Sequence, residues 1–282
     1  MSKDLGVWFV TGSGRGLGLE IAKEVLQRGG CVVAAARNPD MVVEAFRQHP
    51  DYAGRLLPLQ IDLSSESSVT LAIQTAIARF GRIDTLVNNA GYGLLGAIEE
   101  ASDEEVEAIF HVNVFGTLRL TRAALPELRG HGGHVINVSS LGGFAASAGW
   151  GIYNATKFAV EGLSEALALE GAAMGVKVMI VEPGSFRTGF LSNGSMQSTR
   201  RVLAEYETSA GKTRSVAQQR AGNQAGDPAA AARLIVDATC SAAPPLRLVI
   251  GEDAIHRIEG KLRQVQADID AWRQQSVQTA FE

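Results

Sequence analysis

A glycine-rich turn joins an apolar run to an amphipathic segment near the start of this chain. Residues 7–10 (VWFV) are apolar, residues 11–18 read TGSGRGLG, and apolar residues then recur at helical spacing from Leu17 to Leu26. Glycines are needed where a backbone turns tightly and approaches a pyrophosphate. A helix N-terminus offers phosphates its unpaired N–H groups and a partial positive charge. The strand before this turn and the helix after it favour a phosphate site over a turn without a ligand.

Apolar runs alternate with helical patterns along the chain. This alternation implies parallel strands with helical crossovers on both faces of a sheet, and near-continuous apolar runs are typical of strands covered on both faces. The sequence therefore predicts an α/β fold, a Rossmann-type doubly wound parallel sheet of about seven strands, in a single domain spanning residues 1–282. Strands are expected near residues 6–10, 31–36, 56–61, 84–88, 133–138, 177–181 and 246–250.

Two later segments differ from this pattern. Residues 185–226 are rich in Ser, Gln, Arg and Gly and lack clear periodicity apart from 199–206. Such a stretch within a compact domain is often functional, and we predict a substrate lid. Residues 252–275 are predicted to form an amphipathic helix that packs on the protein's own body or on a second subunit, although the stripe spans too few heptads to establish a coiled coil. The stripe consists of Ile255, Ile258, Leu262, Val265, Ile269 and Trp272.

Composition excludes several classes of function. With 26 Lys and Arg against 30 Asp and Glu, the net charge of −4 provides no basic field for nucleic acid. No run approaches the roughly 18 apolar residues of a membrane span, and residues 1–4 lead into the first strand without room for a signal peptide. Cys31 and Cys240 are too far apart in sequence to suggest a metal site or a disulfide framework. We therefore expect a cytoplasmic protein without a metal.

The strongest chemical signal comes from Ser140, Tyr153 and Lys157. Tyr and Lys four residues apart share one face of a helix, and a nearby ammonium lowers the pKa of a phenol from its reference value of about 10. The serine hydroxyl can hydrogen-bond a substrate oxygen. The trio can therefore deliver a proton to a carbonyl oxygen, although a Tyr-x-x-x-Lys spacing is commonplace by itself.

These features together resemble the short-chain dehydrogenase/reductase family, in its single-domain branch. The resemblance covers about residues 5–195. It rests on the Gly12, Gly16 and Gly18 spacing, on a serine before Tyr-x-x-x-Lys, and on two motifs that follow apolar runs. Those motifs are Asn88-Asn89-Ala90-Gly91 and Pro183-Gly184.

The resemblance implies hydride transfer between a nicotinamide and a carbonyl carbon, with Tyr153 as the acid or base. It implies that Ser140 polarises the carbonyl, that Lys157 holds the nicotinamide ribose, and that Asn113 holds a water linking Lys157 to solvent. Asn113 could instead hydrogen-bond within its own helix. Ser139 is the rival of Ser140, and the thirteen-residue offset from the tyrosine favours Ser140.

Two arginines favour NADP(H) as the cofactor. An NAD site usually has Asp or Glu after the second strand, where this chain has Arg37, and Arg15 lies within the glycine loop. Two guanidiniums could clamp a 2′-phosphate, although either could simply be solvated. In the family, Asp62 matches an adenine contact and Thr188 a carboxamide contact. The expected cofactor-binding residues are Gly12, Ser13, Arg15, Gly16, Leu17, Gly18, Arg37, Asp62, Leu63, Asn89, Ala90, Gly91, Tyr153, Lys157, Pro183, Gly184 and Thr188.

The segment 183–189 (PGSFRTG) resembles a subgroup that includes steroid- and retinol-type dehydrogenases, which suggests an apolar substrate. We therefore predict an NADP(H)-dependent carbonyl reductase. The alternatives are a non-catalytic NADP(H)-binding sensor and an NAD-dependent alcohol dehydrogenase of the same family. Five residues could line an apolar pocket or equally belong to the core. They are Phe144, Trp150, Phe186, Phe190 and Leu191.

Three further alternatives are less consistent with the motifs. Sugar epimerases usually carry Thr-Gly-x-x-Gly-x-x-Gly, bacterial enoyl reductases space Tyr and Lys more widely, and a pure scaffold would have no need of Tyr153. Apolar faces on helices near 103–126 and 151–174 predict a homodimer or homotetramer, since family members pair these helices. The apolar residues concerned are Val106, Ile109, Phe110, Phe158, Leu163 and Leu167.

Overall fold

The computed structural model describes residues 5–191 and 194–281. Seven strands form one parallel sheet in the order β3-β2-β1-β4-β6-β7-β9, and β5 pairs in parallel with β8. The predicted α/β fold with a Rossmann-type sheet is confirmed, and each predicted strand of the sheet lies within two residues of its expected bounds. The strands are β1 Val7–Thr11, β2 Cys31–Ala36, β3 Leu56–Gln60, β4 Thr85–Asn88, β5 Gly93–Leu95, β6 His134–Val138, β7 Lys177–Pro183, β8 Met196–Ser198 and β9 Arg247–Ile250.

Helices cover both faces of the sheet. Successive residues of a strand point to opposite faces, so Trp8 and Val10 of β1 join the core beneath α1 and α8, whereas Phe9 joins the core beneath α3 and α5. The helices are α1 Gly16–Gln27, α2 Asp40–Ala45, α3 Glu66–Phe80, α4 Asp103–Phe110, α5 Thr117–Leu128, α6 Gly151–Gly171, α7 Lys212–Arg220, α8 Pro228–Cys240 and α9 Glu252–Ser276.

The first turn of the chain brings α1 close to the end of β1. Gly12 has a φ of +70°, a left-handed conformation that favours glycine. A Cβ atom on Gly18 would lie 2.6 Å from the carbonyl oxygen of Gly12, so a side chain there would push the helix away from the turn. The glycines therefore fix the N-terminus of α1 directly beyond the sheet.

The carboxyl ends of β1 and β4 are held together by Thr11. Its hydroxyl donates to the carbonyl of Val87 at 3.1 Å and accepts from the N–H groups of Asn89 and Ala90 at 3.0 and 3.1 Å. The chain passes from β1 to β2 and β3 on one side and then crosses back from β3 to β4 on the other side of β1, so the winding direction reverses between β1 and β4. Ligands of open α/β sheets bind at such a switch point.

Residues 185–226 contain more regular structure than their composition predicts. Strand β8 attaches this segment to β5, and α7 follows at Lys212–Arg220. Helix α7 buries only Ala217 among its residues, so it lacks the apolar stripe by which a helix is recognised in a sequence.

The C-terminal helix has the predicted extent to within one residue, but only its first turns contact the protein's body. Ala254 and Ile258 are buried, and the remaining apolar stripe is exposed. In the described part of the chain, no helix is both long enough and apolar enough to cross a bilayer. Residues 1–4, on which the expected lack of a signal peptide rests, lie outside the described residues, as do residues 192–193 of the predicted lid.

Candidate active site

A cleft of about 900 Å³ opens at the carboxyl ends of the central strands. Its walls come from the glycine turn, the loops after β2, β4 and β6, the start of α6, and residues 183–191. Segments far apart in sequence therefore converge on a single cavity. Fifteen predicted cofactor-binding residues line it: Gly12, Arg15, Gly16, Leu17, Arg37, Asp62, Leu63, Asn89, Ala90, Gly91, Tyr153, Lys157, Pro183, Gly184 and Thr188.

The glycine turn forms a cradle that a side chain would fill. A Cβ atom on Gly12 would lie 2.8 Å from Nδ2 of Asn89 and 3.1 Å from Cα of Ala90. Arg15 is the N-cap of α1, and its side chain has no oxygen that could accept from the first N–H groups of the helix. This combination of close backbone and uncapped helix N-terminus fits the phosphates of a dinucleotide.

Charged residues mark the end of the cleft beyond β2 and β3. Asp62 accepts hydrogen bonds from the N–H and hydroxyl of Ser64 at 2.9 and 2.7 Å. These bonds, followed by the charge of Arg37, lower the pKa of the Asp62 carboxyl. The Arg15 guanidinium donates to the Ser195 hydroxyl at 2.7 Å, so the glycine loop and segment 185–226 meet at this point.

Ser140, Tyr153 and Lys157 meet where β6 ends and α6 begins. Lys157 Nζ donates to the carbonyl oxygen of Val138 at 2.8 Å and lies 5.8 Å from the centroid of the Tyr153 ring. The Ser140 side-chain oxygen accepts from the N–H of Gly142 at 3.1 Å, which fixes its position in the turn after β6. The three side chains line the same part of the cleft.

Burial is the main influence on the pKa values of Tyr153 and Lys157. It raises the pKa of Tyr153 to about 12, and the neighbouring Ser140 hydroxyl acts in the opposite direction. Burial also lowers the pKa of Lys157 to about 8, against the charge of Glu161, which raises it. The sequence-based expectation was a lowered tyrosine pKa, but here Lys157 bonds Val138 and desolvation dominates at the phenol. At neutral pH the tyrosine therefore carries a proton that it can donate.

Asn113 lies in a π-helical stretch, His111–Gly116, between α4 and α5. Its side-chain amide donates to the carbonyl of Tyr92 at 2.9 Å and to the Thr156 hydroxyl at 3.1 Å, and its Oδ1 accepts from the N–H of Tyr92. These bonds cross to other elements instead of staying within its own helix. A Cβ atom on Gly91 would lie 3.0 Å from Oδ1 of Asn113 and 3.8 Å from Nζ of Lys157, so both groups flank this glycine.

A largely buried acidic cluster lies behind Lys157. Arg247 Nη2 is 3.3 Å from Glu161 Oε2, and its Nε is 3.2 Å from Glu182 Oε1. Glu165 contacts the same guanidinium. Burial, followed by the charge of Glu161, raises the pKa of Glu182 to about 7. Three carboxylates thus share one arginine. Ser139 adjoins Glu161 and also lines the cleft beside Ser140.

The structure places four predicted site residues away from the cleft lining. The Ser13 hydroxyl points inward and donates to the carbonyl of Val10 at 2.6 Å, and Gly18 supports the turn from behind. Asn113 is buried beneath the site. The Phe144 ring packs against the guanidinium of Arg247, 6.0 Å from its centroid. The other four proposed pocket residues line the cleft, namely Trp150, Phe186, Phe190 and Leu191.

Several other lining residues were not predicted from the sequence. Tyr92 follows the Asn-Asn-Ala-Gly motif and could have been found by its position. Val216, Ala217 and Arg220 reach the cleft from α7, and Arg257 reaches it from α9. Helices α7 and α9 are placed beside the cleft by tertiary contacts, and no sequence motif identifies their lining residues.

Residues 185–226 are attached to the body by several polar contacts. Arg214 of α7 donates twice to the buried carboxylate of Glu100, at 2.7 and 3.2 Å. Glu100 also accepts from the N–H of Leu203 at 2.9 Å. The Arg214 hydrogen bonds are the largest influence on Glu100 and lower its carboxyl pKa to about 2. This ion pair therefore fixes α7 over the cleft.

Sequence comparison agrees with this geometry. The profile of the short chain dehydrogenase family matches residues 6–198. The chain therefore belongs to the short-chain dehydrogenase/reductase family, and it is an oxidoreductase of that family. Proteins of this family use NAD(H) or NADP(H).

Individual relatives and a solved structure match most of the chain. An oxidoreductase called BOA17 from Botryotinia fuckeliana is 33% identical over 97% of this chain and 99% of its own length. A 3-ketodihydrosphingosine reductase from Bacteroides thetaiotaomicron is 37% identical over 71% of both chains. The crystal structure of a short-chain dehydrogenase from Streptomyces avermitilis covers 98% of this chain and 100% of its own, at 39% identity and a TM-score of 0.90.

Proposed function

We propose that this protein is an NADP(H)-dependent carbonyl reductase that acts on ketones or aldehydes of apolar character. The observation that carries the proposal is the protonated, buried Tyr153 beside Ser140 and Lys157 at the inner end of the cleft. A carbonyl reduction needs a proton donor at the oxygen where negative charge develops. Preorganised donors at such an oxygen are typically worth about 3–4 kcal/mol each.

Four side chains of the protein have separate roles in the proposed carbonyl reduction. A bound nicotinamide cofactor supplies the hydride. Ser140 donates a hydrogen bond to the substrate carbonyl, which polarises it, and Tyr153 transfers its phenolic proton to the same oxygen. The Lys157 ammonium then stabilises the tyrosinate, and Asn113 aligns the path by which a proton returns.

The preference for NADP(H) rests on two cations at the ribose end of the cleft. Arg37 stands where an NAD site would place an acid, and its charge already acts on Asp62. Arg15 is directed across the glycine loop toward Ser195. Both guanidiniums line the cleft and would hold a 2′-phosphate, a contact to which arginine is suited. Asp62 and Thr188 are assigned to the adenine and the carboxamide.

The substrate end of the cleft is largely apolar. Trp150 and Phe190 both pack near Tyr153, with ring centroids 5.6 and 5.7 Å from that of the tyrosine. Leu191 and Val216 extend the apolar wall. The similarity to a 3-ketodihydrosphingosine reductase, a protein named for reducing a keto group, supports reduction of a ketone.

Two related proposals concern assembly and the lid. Phe158 and Leu163 of α6 are 44% and 38% exposed, and Phe115 is 43% exposed nearby, so we assign a homodimer or homotetramer contact to this face. Ile109 does not belong to it, because that side chain is buried in the protein's own core. Residues 185–226 act as the substrate lid in this proposal, and the protein functions in the cytoplasm.

A panel of carbonyl compounds tests the function. NADPH oxidation is followed with small aliphatic ketones and aldehydes, aryl ketones, 1,2-diketones and steroids, with NADH in parallel. Turnover with NADPH on the apolar classes is the expected result. Binding of NADPH without turnover of any carbonyl or alcohol supports the sensor alternative instead. Faster turnover with NADH, or turnover of alcohols alone, supports an NAD-dependent alcohol dehydrogenase.

A further inference from the structure

Charged side chains line the cleft at both of its ends, and the proposed reduction leaves two of them without a role. Asp62, Lys157 and the two arginines of the ribose end are assigned to cofactor binding and catalysis. Arg220 of α7 and Arg257 of α9 also line the cleft. Asp62 is the single carboxylate among the described lining residues. The region that α7 and α9 reach is therefore positively charged, although the whole chain carries a net charge of −4.

Arg220 and Arg257 lie on the side of the cleft that faces the catalytic tyrosine. Arg257 Nη2 donates to the carbonyl of Ala146 at 2.6 Å, and the Thr213 hydroxyl of α7 donates to the carbonyl of Ala148 at 3.0 Å. Both carbonyls belong to the loop that leads from β6 into α6, the helix that carries this tyrosine. Arg220 follows Thr213 by two helical turns, about 10 Å, on the face of α7 that lines the cleft.

Most N–H groups of these two guanidiniums are available to a ligand. An arginine side chain has five N–H donors, and Arg257 uses one of them in the bond to Ala146. Arg220 has no hydrogen bond or ion pair with another residue in the part of the chain that the structure describes. Arg220 is the last residue of α7, where its charge complements the helix dipole. That role does not require a position on the cleft wall, whereas binding an anion does.

A buried amide lies four residues beyond Arg220. Gln224 is 5% exposed and lines the cleft, and its main-chain carbonyl accepts from Nε of Arg187 at 3.0 Å. Among the described residues, its side-chain oxygen has no hydrogen-bond partner and its NH2 group donates to none. Buried polar side chains nearly always have a partner. The NH2 group can therefore serve as a further donor to a ligand in the cleft.

We propose that the substrate is an oxo acid, in which an apolar body separates the reacting carbonyl from a carboxylate. Arg220 and Arg257 bind the carboxylate, and Gln224 donates to it from the wall. This inference rests on the proposed reduction at Tyr153. Two N–H groups of one guanidinium match the two oxygens of a carboxylate, and the apolar walls of the cleft accommodate the body of the molecule. The positive charge also attracts anions into the cleft from solution.

A series of methyl ketones tests the carboxylate site by turnover. In each compound three, five or seven methylene groups separate the ketone from a carboxylate, and the matched compound carries a neutral primary amide in its place. The wild type is expected to reduce the best acid with a kcat/KM at least about tenfold above that of its amide. An acid/amide ratio near one at every length overturns the proposal, while turnover of both compounds would leave the proposed ketone reduction intact.

Variants identify the side chains that bind the carboxylate. Arg220→Gln and Arg257→Gln are each expected to lower the acid/amide ratio of kcat/KM about tenfold. Lys212→Gln on α7 and Lys261→Gln on α9 remove the same charge from exposed positions that do not line the cleft, and they should keep the wild-type ratio. Equal ratios in variants and controls overturn the assignment. Weaker NADPH binding in the arginine variants with an unchanged ratio also overturns it, because it places these guanidiniums on the cofactor's phosphates.

A binding measurement separates this inference from the proposed function. Isothermal titration calorimetry compares nonanoate with nonanamide on the enzyme saturated with NADP+, so no turnover is needed. Nonanoate is expected to bind about tenfold more tightly than nonanamide to the wild type, and this preference should be lost in Arg220→Gln. A preference for nonanoate without turnover of any ketone would contradict the proposed reduction but retain the carboxylate site. Equal dissociation constants for the two compounds overturn the site.

Discussion

Glu161 lies one helical turn beyond Lys157 on α6, and both side chains are buried. Its carboxylate is the charge that counteracts desolvation of the lysine, which otherwise loses its proton more easily. Glu161 is in turn 3.3 Å from Arg247. The protonation of the proposed catalytic lysine is therefore coupled to the acidic cluster one turn further along the same face of the helix.

Replacing Glu161 with Gln is expected to narrow the pH range of activity. Burial lowers the Lys157 pKa to about 8, and Glu161 raises it, so loss of this carboxylate lowers that pKa further. The ammonium is the form below the pKa, and the high-pH fall of kcat/KM should therefore move to lower pH. The pH profile of NADPH-dependent reduction measures this shift. Glu165→Gln, which alters the same cluster at its exposed edge, is the control, and an equal shift in both variants would contradict the assignment.

Glu182 is expected to make the folded protein less stable as the pH rises. Its folded-state pKa of about 7 exceeds its ordinary value of 4.5, so the folded state binds more protons between these values. The free energy of unfolding therefore falls as pH increases through this window. In Glu182→Gln this loss should disappear, a difference of about 1–3 kcal/mol between pH 5 and pH 8. Urea unfolding of both proteins at the two pH values measures this difference in the free energy of unfolding. If Glu182→Gln keeps the pH dependence of the wild type, the Glu182 carboxyl does not bind the extra proton of the folded state.

Arg37→Asp is expected to favour NADH. The substitution removes a guanidinium suited to the 2′-phosphate and introduces a carboxylate that repels this phosphate but accepts from a ribose hydroxyl. The NADPH/NADH ratio of kcat/KM should fall at least about tenfold. Arg122→Asp, an exposed site on α5, controls for the change in net charge. If the ratio is the same in both variants, the 2′-phosphate is held elsewhere.

Arg214→Met is expected to loosen the proposed lid, residues 185–226, and to destabilise the fold. It leaves the Glu100 carboxylate, which is 1% exposed, without its ion-pair partner. Removing one member of a buried pair costs about 3–5 kcal/mol, here nearer 3 because Arg214 is partly accessible. Thermal unfolding and the KM for a carbonyl substrate measure the two effects. Lys212→Met, exposed on the same helix, should change neither.

The sheet could be predicted from the sequence because its signal is local. Apolar runs such as residues 32–36 and 178–181 are buried on both faces, and nothing polar interrupts them. The glycine turn could also be predicted from the sequence, and Gly12 adopts a positive φ at the predicted position. Motif spacing also predicted that Ser140, Tyr153 and Lys157 act together, and all three line the same cleft.

Features that depend on tertiary contacts could not be predicted in this way. Helix α7 has almost no apolar stripe and is held by the Glu100 ion pair instead. The π-helical turn at Asn113 depends on hydrogen bonds to Tyr92 and Thr156, which are distant in sequence. The raised tyrosine pKa reflects desolvation, whereas spacing alone suggested a lowered one.

The most direct test of the central claim compares wild type and Tyr153→Phe in two measurements on the same preparation. The first is NADPH-dependent reduction of the best carbonyl substrate, and the second is the dissociation constant for NADPH. The account predicts that turnover in Tyr153→Phe is lost to the detection limit while the dissociation constant changes by less than about threefold. Turnover close to that of the wild type would contradict the assignment of Tyr153 as the proton donor.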